Sequence, residues 1–237
     1  MAALECWRKG HTVRILERSP SPIETGDFFT IGPSATRAFR SWPDMIEENE
    51  RIAYDPWVSY HKHTGECIIP PGPMTWIAPS ADNTTKAEDL PKRLYRHHRP
   101  KFHAMLLKQL EKLGVKVEYN RRVVLYSEES ANGSVSLDNG EKIKADIVVA
   151  ADGVGTKSHP LVTGKKVEAK SSGSSIYRTA FPVELAIADA EIAERFKILE
   201  NGKSVNEIWV GPDMHMMLWR SEDMISWLIT HKVCALS

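Results

Sequence analysis

The sequence predicts an α/β (α+β) fold, in which an incomplete doubly wound parallel sheet with a β-meander precedes a mostly antiparallel sheet. Three observations predict it. A helix, a glycine and a strand follow one another over residues 2–17, as in the second half of a βαβ unit. Short strands and turns lead to an apolar run at residues 147–149, and the last third of the chain alternates as further strands.

The first predicted element is a helix over residues 2–9, since Gly10 is a favourable residue for ending it. Residues 11–17 then read as a strand that ends in Glu17. In dinucleotide-binding βαβ units an acid at this place binds the ribose of the adenosine half. We therefore expect Glu17, with Arg18 beside it, to contact a nucleotide. The alternative is a solvated Glu-Arg pair at a strand end.

The stretch of residues 146–158 is the strongest local signal. Ile147, Val148 and Val149 follow a turn, and a short apolar run bounded by turns is typical of a strand buried on both faces. Asp152 and Gly153 then lie at the carboxyl end of this strand, where open parallel sheets bind ligands. The aspartate offers an acceptor for hydroxyl groups and the glycine allows a close backbone approach. The alternative is an ordinary strand and turn with an exposed aspartate.

A basic cluster at residues 95–101 precedes a predicted helix. Pro100 suits a first helical turn, and the apolar face that follows ends at Gly114. An arginine at the start of a helix can bind phosphate through charge-assisted hydrogen bonds. Arg96 and Arg99 are the two arginines of this cluster.

Residues 146–158 resemble the Asp-Gly motif of FAD-dependent aromatic-ring monooxygenases, a family similar to salicylate hydroxylase and p-hydroxybenzoate hydroxylase. The resemblance implies that Arg99 binds FAD and that backbone from Gly26 to Phe28 passes under the flavin, before a helix that Ser34 caps. It also implies a backbone contact from Val123 to adenine. A plain loop entering a helix is the alternative for the segment around Phe28.

Several short strands complete the predicted architecture. A hairpin spans residues 54–69, loops follow at 70–73 and 80–88, and a meander covers residues 115–144. Strands at 176–181, 205–210, 215–219 and 224–230, with a helix at 186–199, make the last sheet. By resemblance, Arg178 on the first of these strands lies near the substrate. An exposed strand arginine is the alternative.

These elements predict two discontinuous domains. Residues 1–50 and 92–165 form the FAD-binding domain, and residues 51–91 and 166–237 form the substrate-binding sheet. Lys and Arg together equal Asp and Glu at 31 each, so no global charge favours nucleic acid or a membrane. Three cysteines without CxxC spacing argue against a disulfide framework and fit a cytoplasmic protein without a metal site.

Two motifs of the family are missing from this sequence. No GxGxxG precedes Glu17, although such a loop should cradle pyrophosphate on the N-terminus of the first helix. The family's later Gly-Asp motif is also missing, and the one Gly-Asp here, Gly26-Asp27, lies in the wrong place for it. We therefore expect a chain that is truncated at both ends.

The resemblance thus implies an FAD-dependent monooxygenase that hydroxylates an aromatic or related small molecule with NAD(P)H and oxygen. The flavin supplies the chemistry, so no side-chain nucleophile is required. The alternative is a catalytically inactive truncated remnant or interaction module of the same fold. A nicotinamide-dependent dehydrogenase fits less well, because of the meander before Asp152 and the large all-β end.

Overall fold

The structure is a computed structural model that describes residues 1–73, 94–168 and 170–233. The chain divides into two compact units. The first comprises Met1–Glu24 and Lys108–Ser171, and the second comprises Thr25–Leu107 and Ser172–Ser237. The two predicted domains remain a prediction, because they were defined by the ligand that each would bind. The predicted α/β (α+β) class is confirmed by a parallel strand pair, a meander and a mostly antiparallel sheet.

The first unit begins with helix α1 (Ala2–Arg8), which ends where Gly10 adopts a φ of +87°. This confirms the predicted helix and its glycine stop. Strand β1 (Ile15–Leu16) pairs in parallel with β6 (Val117–Glu118). Both strands are much shorter than predicted, because each has only this one partner in the described part of the chain.

The predicted meander of the first unit is confirmed. Strands β7 (Val123–Glu128), β8 (Gly133–Leu137) and β9 (Lys142–Ala145) pair in antiparallel order. The central strand carries the core of this unit, since Val135 and Leu137 are 5% and 2% exposed. A short helix, α5 (His159–Thr163), follows.

The predicted buried strand at residues 147–149 is wrong. No strand is assigned there, and the side chains of Ile147 and Val149 are 74% and 61% exposed. A strand exists only through hydrogen bonds to a neighbour, and no described strand pairs with this segment. Asp152 therefore does not lie at the carboxyl end of a strand. Local sequence predicted an apolar extended segment correctly but could not supply its partner.

The second unit contains a six-stranded sheet in the order β10, β13, β12, β11, β3, β4. All neighbouring pairs are antiparallel except β11 with β3. The strands are β3 (Trp57–Lys62), β4 (Cys67–Gly72), β10 (Ser174–Pro182), β11 (Val205–Gly211), β12 (Met214–Arg220) and β13 (Met224–Lys232). The predicted hairpin and the four predicted C-terminal strands are confirmed.

A second pair of strands lies in the same unit. Strand β2 (Phe28–Ile31) pairs with β5 (Tyr95–His98), and helix α4 (Arg99–Lys112) begins directly after β5. This confirms the predicted helix, which is followed by Gly114 at a φ of +71°. Tyr95 and Met105 are 1% and 3% exposed, so β5 and α4 contribute to the core.

Three local predictions in the second unit are wrong. Ser34 does not cap a long helix: α2 (Pro33–Thr36) follows Gly32 without a side-chain cap, and a 3₁₀ helix (Arg37–Ser41) and α3 (Pro43–Ile52) come next. The predicted helix at 186–199 shrinks to α6 (Ala190–Arg195), which the Asp189 carboxylate caps. The predicted loop at 70–73 is mostly strand β4. The predicted loop at 80–88 lies outside the described residues.

Candidate functional site

The segment Gly26–Phe28 of the second unit is held in place from two sides. A ring nitrogen of His98 lies 3.0 Å from the carbonyl oxygen of Gly26. The backbone N–H of Arg99 donates to the carbonyl oxygen of Asp27 at 3.0 Å, and Phe28 pairs with His98 in the strand ladder. Because these contacts are mostly to backbone, they fix the path of the segment whatever its side chains are.

Gly26 allows a close approach of the Arg99 side chain to the backbone. A Cβ built at this position would lie 3.1 Å from both Cβ and Cδ of Arg99. The Arg99 side chain is exposed, and its Nη1 donates to the carbonyl oxygen of Thr25 at 3.3 Å. The aliphatic stem of Arg99 thus lies against the bare backbone of Gly26, and its cationic head remains accessible.

Asp27 is a buried acid at the centre of this segment. Its side chain is 9% exposed, and its Oδ1 accepts hydrogen bonds of 2.6 Å from the Phe28 backbone N–H and from the Ser226 hydroxyl. The other oxygen, Oδ2, is buried without a hydrogen-bond partner, and Nε of Arg178 lies 4.0 Å from it. Buried carboxylate oxygens usually have hydrogen-bond partners. Oδ2 of Asp27 has none and has one cation nearby, so it marks a site of functional interest.

Sequence reasoning missed Asp27. It discounted Gly26-Asp27 because the family's Gly-Asp motif belongs elsewhere in the chain. The local signal, an acid directly before two phenylalanines, does not by itself predict burial. The Ser226 partner lies 199 positions away and has no local signal.

Arg178 lies on β10, where it pairs with Leu228 of β13. Its side chain is 64% exposed, and no hydrogen bond joins it to any described residue. Residues two apart in a strand share a face, so Arg178 lies on the same sheet face as Ala180 and its partner Ser226. The structure therefore brings Arg178 to the Gly26–Phe28 segment through Asp27.

Phe28 packs its ring between two other aromatic side chains. Its ring centroid lies 5.8 Å from that of Trp219, edge to face, and 5.5 Å from that of Tyr54. Trp219 is 4% exposed, and burial raises the pKa of the Tyr54 hydroxyl, which donates to the carbonyl oxygen of Arg220. Phe28 itself is half-buried, so one part of the ring remains accessible.

In the first unit, Glu17 directly follows β1. Its Oε1 accepts a hydrogen bond of 2.8 Å from the Ser19 backbone N–H, and its Oε2 has no partner among the described residues. Arg18 beside it is exposed. Val123 begins β7, pairs with Leu137 and is half-buried. No hydrogen bond joins these predicted site residues to one another in the described structure.

Asp152 directly precedes a turn, in which the Thr156 backbone N–H donates to the carbonyl oxygen of Gly153, and its carboxylate is a hydrogen-bond acceptor. The Tyr126 hydroxyl donates to Oδ2 of Asp152 at 2.8 Å. Burial alone would raise the pKa of Asp152, but hydrogen bonds from Thr156 and Tyr126 hold it below its ordinary value. Burial, together with the Asp152 carboxylate, raises the pKa of Tyr126 to about 12. Gly153 has a φ of +81°, a conformation that favours glycine.

Two features of the described residues bear on other classes of site. They contain no group of three His, Cys, Asp or Glu side chains that could hold a metal ion. None of their helices has the length and apolar character to cross a bilayer.

Comparisons with known proteins give a consistent result. A family model described as pyridine nucleotide-disulphide oxidoreductase matches residues 76–177. The chain is 44% identical over 234 residues to an FAD-dependent monooxygenase of Claviceps purpurea, a match that covers 97% of this chain and 45% of the relative. It is 43% identical to the FAD-dependent monooxygenase fsr3 of Gibberella fujikuroi, a match that covers 97% of this chain and 44% of that relative. The chain is thus similar, over nearly its whole length, to FAD-dependent monooxygenases.

A solved structure shows the same similarity. The crystal structure of CtdE in complex with FAD and substrate 4 matches with a TM-score of 0.81 at 26% identity, over 98% of this chain and 54% of that chain. The chain therefore spans about half the length of the relatives that it matches.

These FAD-dependent relatives imply an FAD cofactor, and residues in each unit, taken by itself, have chemistry that fits one. The backbone at Gly26 carries no side chain, and a Cβ added there would lie close to Arg99. The exposed head of Arg99 can bind an anionic phosphate. The Oε2 atom of Glu17 can accept a hydrogen bond from a ribose hydroxyl, since only Oε1 is occupied by Ser19.

Proposed function

We propose that this chain is part of a monooxygenase that places one atom of molecular oxygen on a small aromatic molecule, in fungal secondary metabolism. The second oxygen atom leaves as water, and NAD(P)H supplies the two electrons that this requires. The observation that carries the proposal is the fixed Gly26–Phe28 segment with Arg178 beside Asp27. Bound FAD would supply the redox chemistry, and the protein would supply orientation and dryness.

The residues of the first unit take nucleotide-binding roles in this proposal. Glu17 would accept a hydrogen bond from a ribose hydroxyl, with Arg18 beside it, and Val123 would contact adenine through its backbone. Asp152 would accept a hydrogen bond from the cofactor through its carboxylate, which already accepts one from Tyr126, and Gly153 would let the backbone approach.

In the second unit, Arg99 would bind phosphate and the bare backbone from Gly26 to Phe28 would support the flavin. Arg178 would bind an anionic substrate or a deprotonated phenol, because its five N–H donors make no hydrogen bond to the described residues. The Asp27 carboxylate, 4.0 Å from Nε of Arg178, would bias the position of the arginine head only weakly, because water screens a side chain that is 64% exposed.

The first test is a titration of the purified 237-residue chain with FAD, followed by flavin fluorescence. We expect Arg99→Gln to weaken binding by roughly ten- to a hundred-fold, the value of one charge-assisted hydrogen bond. Lys101→Gln is the matched control: it removes the same charge from the same helix, but Lys101 pairs with Asp223 at 2.7 Å. Equal losses in both variants would mean that only net charge matters and would contradict the Arg99 role.

A chain that folds cooperatively but binds no FAD would favour the alternative, an inactive remnant or interaction module. A chain that binds FAD should then be assayed for NADH and NADPH oxidation with candidate aromatic compounds. Arg178→Gln should leave the FAD affinity unchanged and should alter only the response to the aromatic compound.

A further inference from the structure

Four side chains that lie next to one another on four strands of the six-stranded sheet are closed off from solvent, and we call them the covered row. They are Val58, Asn206, Trp219 and Ser226, which are 4%, 1%, 4% and 0% exposed. The strand register pairs Val58 with Asn206 and Trp219 with Ser226. Asn206 and Trp219 are also opposite each other, one step beyond the last printed pair of β11 with β12. Directly opposed residues point to the same face of a sheet, so all four share one face.

Two polar atoms of the covered row have no hydrogen-bond partner among the described residues. They are Nε1 of Trp219 and Oδ1 of Asn206, and both are buried. The indole N–H can only donate, and the amide oxygen can only accept. Buried polar groups in folded proteins nearly always have a partner, because a buried group without one costs free energy. One donor and one acceptor on neighbouring strands can be satisfied by a single molecule between them.

The neighbouring side chains do not supply this partner. Val58 is apolar, and the Ser226 hydroxyl donates its single proton to Oδ1 of Asp27 at 2.6 Å. The ring of Phe28 packs against Trp219 and offers no strong acceptor. The missing partner therefore comes from outside this group of side chains.

A water molecule has the size and the bonding that this place requires. The Cβ atoms of directly opposed residues are about 4.5–5.5 Å apart. A water that accepts from a nitrogen and donates to an oxygen joins two atoms that are roughly 4.5–5.5 Å apart. Buried waters make two to four such hydrogen bonds. Since neither Asn206 nor Trp219 is more than 4% exposed, the partner has to be small enough to lie inside the core.

We propose that one ordered water molecule binds in the covered row, where it accepts a hydrogen bond from Nε1 of Trp219 and donates one to Oδ1 of Asn206. The water holds the indole ring in one orientation, and the indole ring packs at 88° to the ring of Phe28. Asn206 is therefore a positioning residue, which acts on Phe28 through the water and Trp219. The support of a flavin by Phe28 rests on the proposed function, but the water site does not.

The test is nuclear magnetic resonance of the isotope-labelled, flavin-free chain. The indole N–H of Trp219 is assigned by its loss in Trp219→Phe. We expect a dipolar cross-peak between this proton and water, with the sign that only a long-lived bound water gives. Trp209 is the control within the same molecule, because its indole N–H donates to Oε2 of Glu207 at 2.8 Å and should give no such cross-peak.

Two results with the unaltered chain would overturn the proposal. The first is a Trp219 indole proton without any dipolar cross-peak to water. The second is an indole proton resonance shifted strongly upfield, which would mean that the N–H donates to the face of the Phe28 ring instead.

Asn206→Leu locates the second partner of the water, because it removes the acceptor and keeps a similar shape. The cross-peak at Trp219 should disappear, and the ring resonances of Phe28 should shift as the indole ring loses its fixed orientation. Asn49→Leu is the matched control, since its Oδ1 is also buried without a described partner but lies on α3. It should change neither signal.

The variants can contradict the proposal as clearly as they can support it. A folded Asn206→Leu chain that keeps the cross-peak would overturn the role of Asn206 as the acceptor. A lost cross-peak with unchanged Phe28 resonances would overturn the positioning role. Asn206→Val replaces Asn206→Leu if circular dichroism shows that the leucine variant is unfolded. A failed FAD titration would end the proposed function and leave all these signals as expected.

Discussion

The hydrogen bond between Ser226 and Asp27 should depend on the charge of Asp27. Ser226 is fully buried, and its hydroxyl lies 2.6 Å from Oδ1 of Asp27 and 2.8 Å from the carbonyl oxygen of Thr179. One hydroxyl has a single proton, so the shorter contact to a carboxylate should receive most of it. The perturbation is Ser226→Ala, made in the unaltered chain and in the Asp27→Asn background.

The magnitude follows from the two kinds of acceptor. A hydrogen bond to a charged group is worth about 1.5–3 kcal/mol, and one to a neutral group about 0.5–1.5 kcal/mol. Ser226→Ala should therefore lower the free energy of unfolding by about 2 kcal/mol with Asp27 present and by about 1 kcal/mol with Asn in its place. Any cavity and the lost contact to Thr179 are common to both backgrounds and cancel in the difference, which is about 1 kcal/mol.

The assay is urea unfolding of the four proteins in the cycle, followed by circular dichroism and tryptophan fluorescence. Ser59→Ala is the matched control, since Ser59 is also fully buried on this sheet but its hydroxyl partners His61 at 2.9 Å. Its cost should be the same in both backgrounds. If Ser226→Ala also costs the same in both, to within about 0.3 kcal/mol, the hydroxyl does not bind a charged carboxylate and the reasoning is refuted.

Three further predictions concern other parts of the chain. Gly26→Ala should lower the free energy of unfolding by about 1–3 kcal/mol, because the added Cβ would lie 3.1 Å from the Arg99 side chain. Gly155→Ala is the control and should be nearly neutral, since an added Cβ there has nothing within 4 Å. Equal melting curves for the two variants would contradict this prediction. In an ultraviolet titration, Tyr126 should ionise near pH 12 rather than 10.0, and Asp152→Asn should lower that pKa. Because folding raises the pKa of Tyr126, its protonated hydroxyl stabilises the fold below pH 10.0, and this contribution disappears as the pH rises towards 12. Burial would raise the pKa of Glu207, but hydrogen bonds from its arginine and tryptophan partners lower it. The Glu207 carboxylate should therefore stabilise the fold above pH 4.5, and this contribution should disappear as the pH falls through the folded pKa. If Glu207→Gln keeps the full acid dependence in a series of unfolding measurements at different pH values, this prediction is wrong.

Elements with a strong local signal were predictable from the sequence. Gly10 stopped the first helix as expected because a residue without Cβ adopts positive φ at little cost. The meander and the C-terminal strands followed from alternation and turn residues, and Arg99 was correctly placed where a helix begins. Each of these depends on residues within a few positions of one another, so the information is present in a short window.

The candidate site was only half predictable. Phe28, Arg99 and Arg178 were selected through a family resemblance, and the structure places them around one segment of the second unit. The roles assigned to these three residues, and to Glu17, Val123 and Asp152 in the first unit, remain predictions. Asp27 was not selected as a site residue, because Gly26-Asp27 was compared with the family's Gly-Asp motif, which belongs to a different part of the family's chain.

The sequence alone determined the type and order of most elements, the chemical types of the candidate residues and the family resemblance. Tertiary structure decided which apolar segments found partners and which polar groups became buried. The run at Ile147 and Val149 has the composition of a central strand, yet it remains exposed because a strand depends on neighbours that its own sequence does not encode. Asp27 has the composition of a loop acid, yet it is buried against Ser226 because the chain returns to it 199 residues later. Burial and pairing are properties of distant contacts, so only the folded chain determines them.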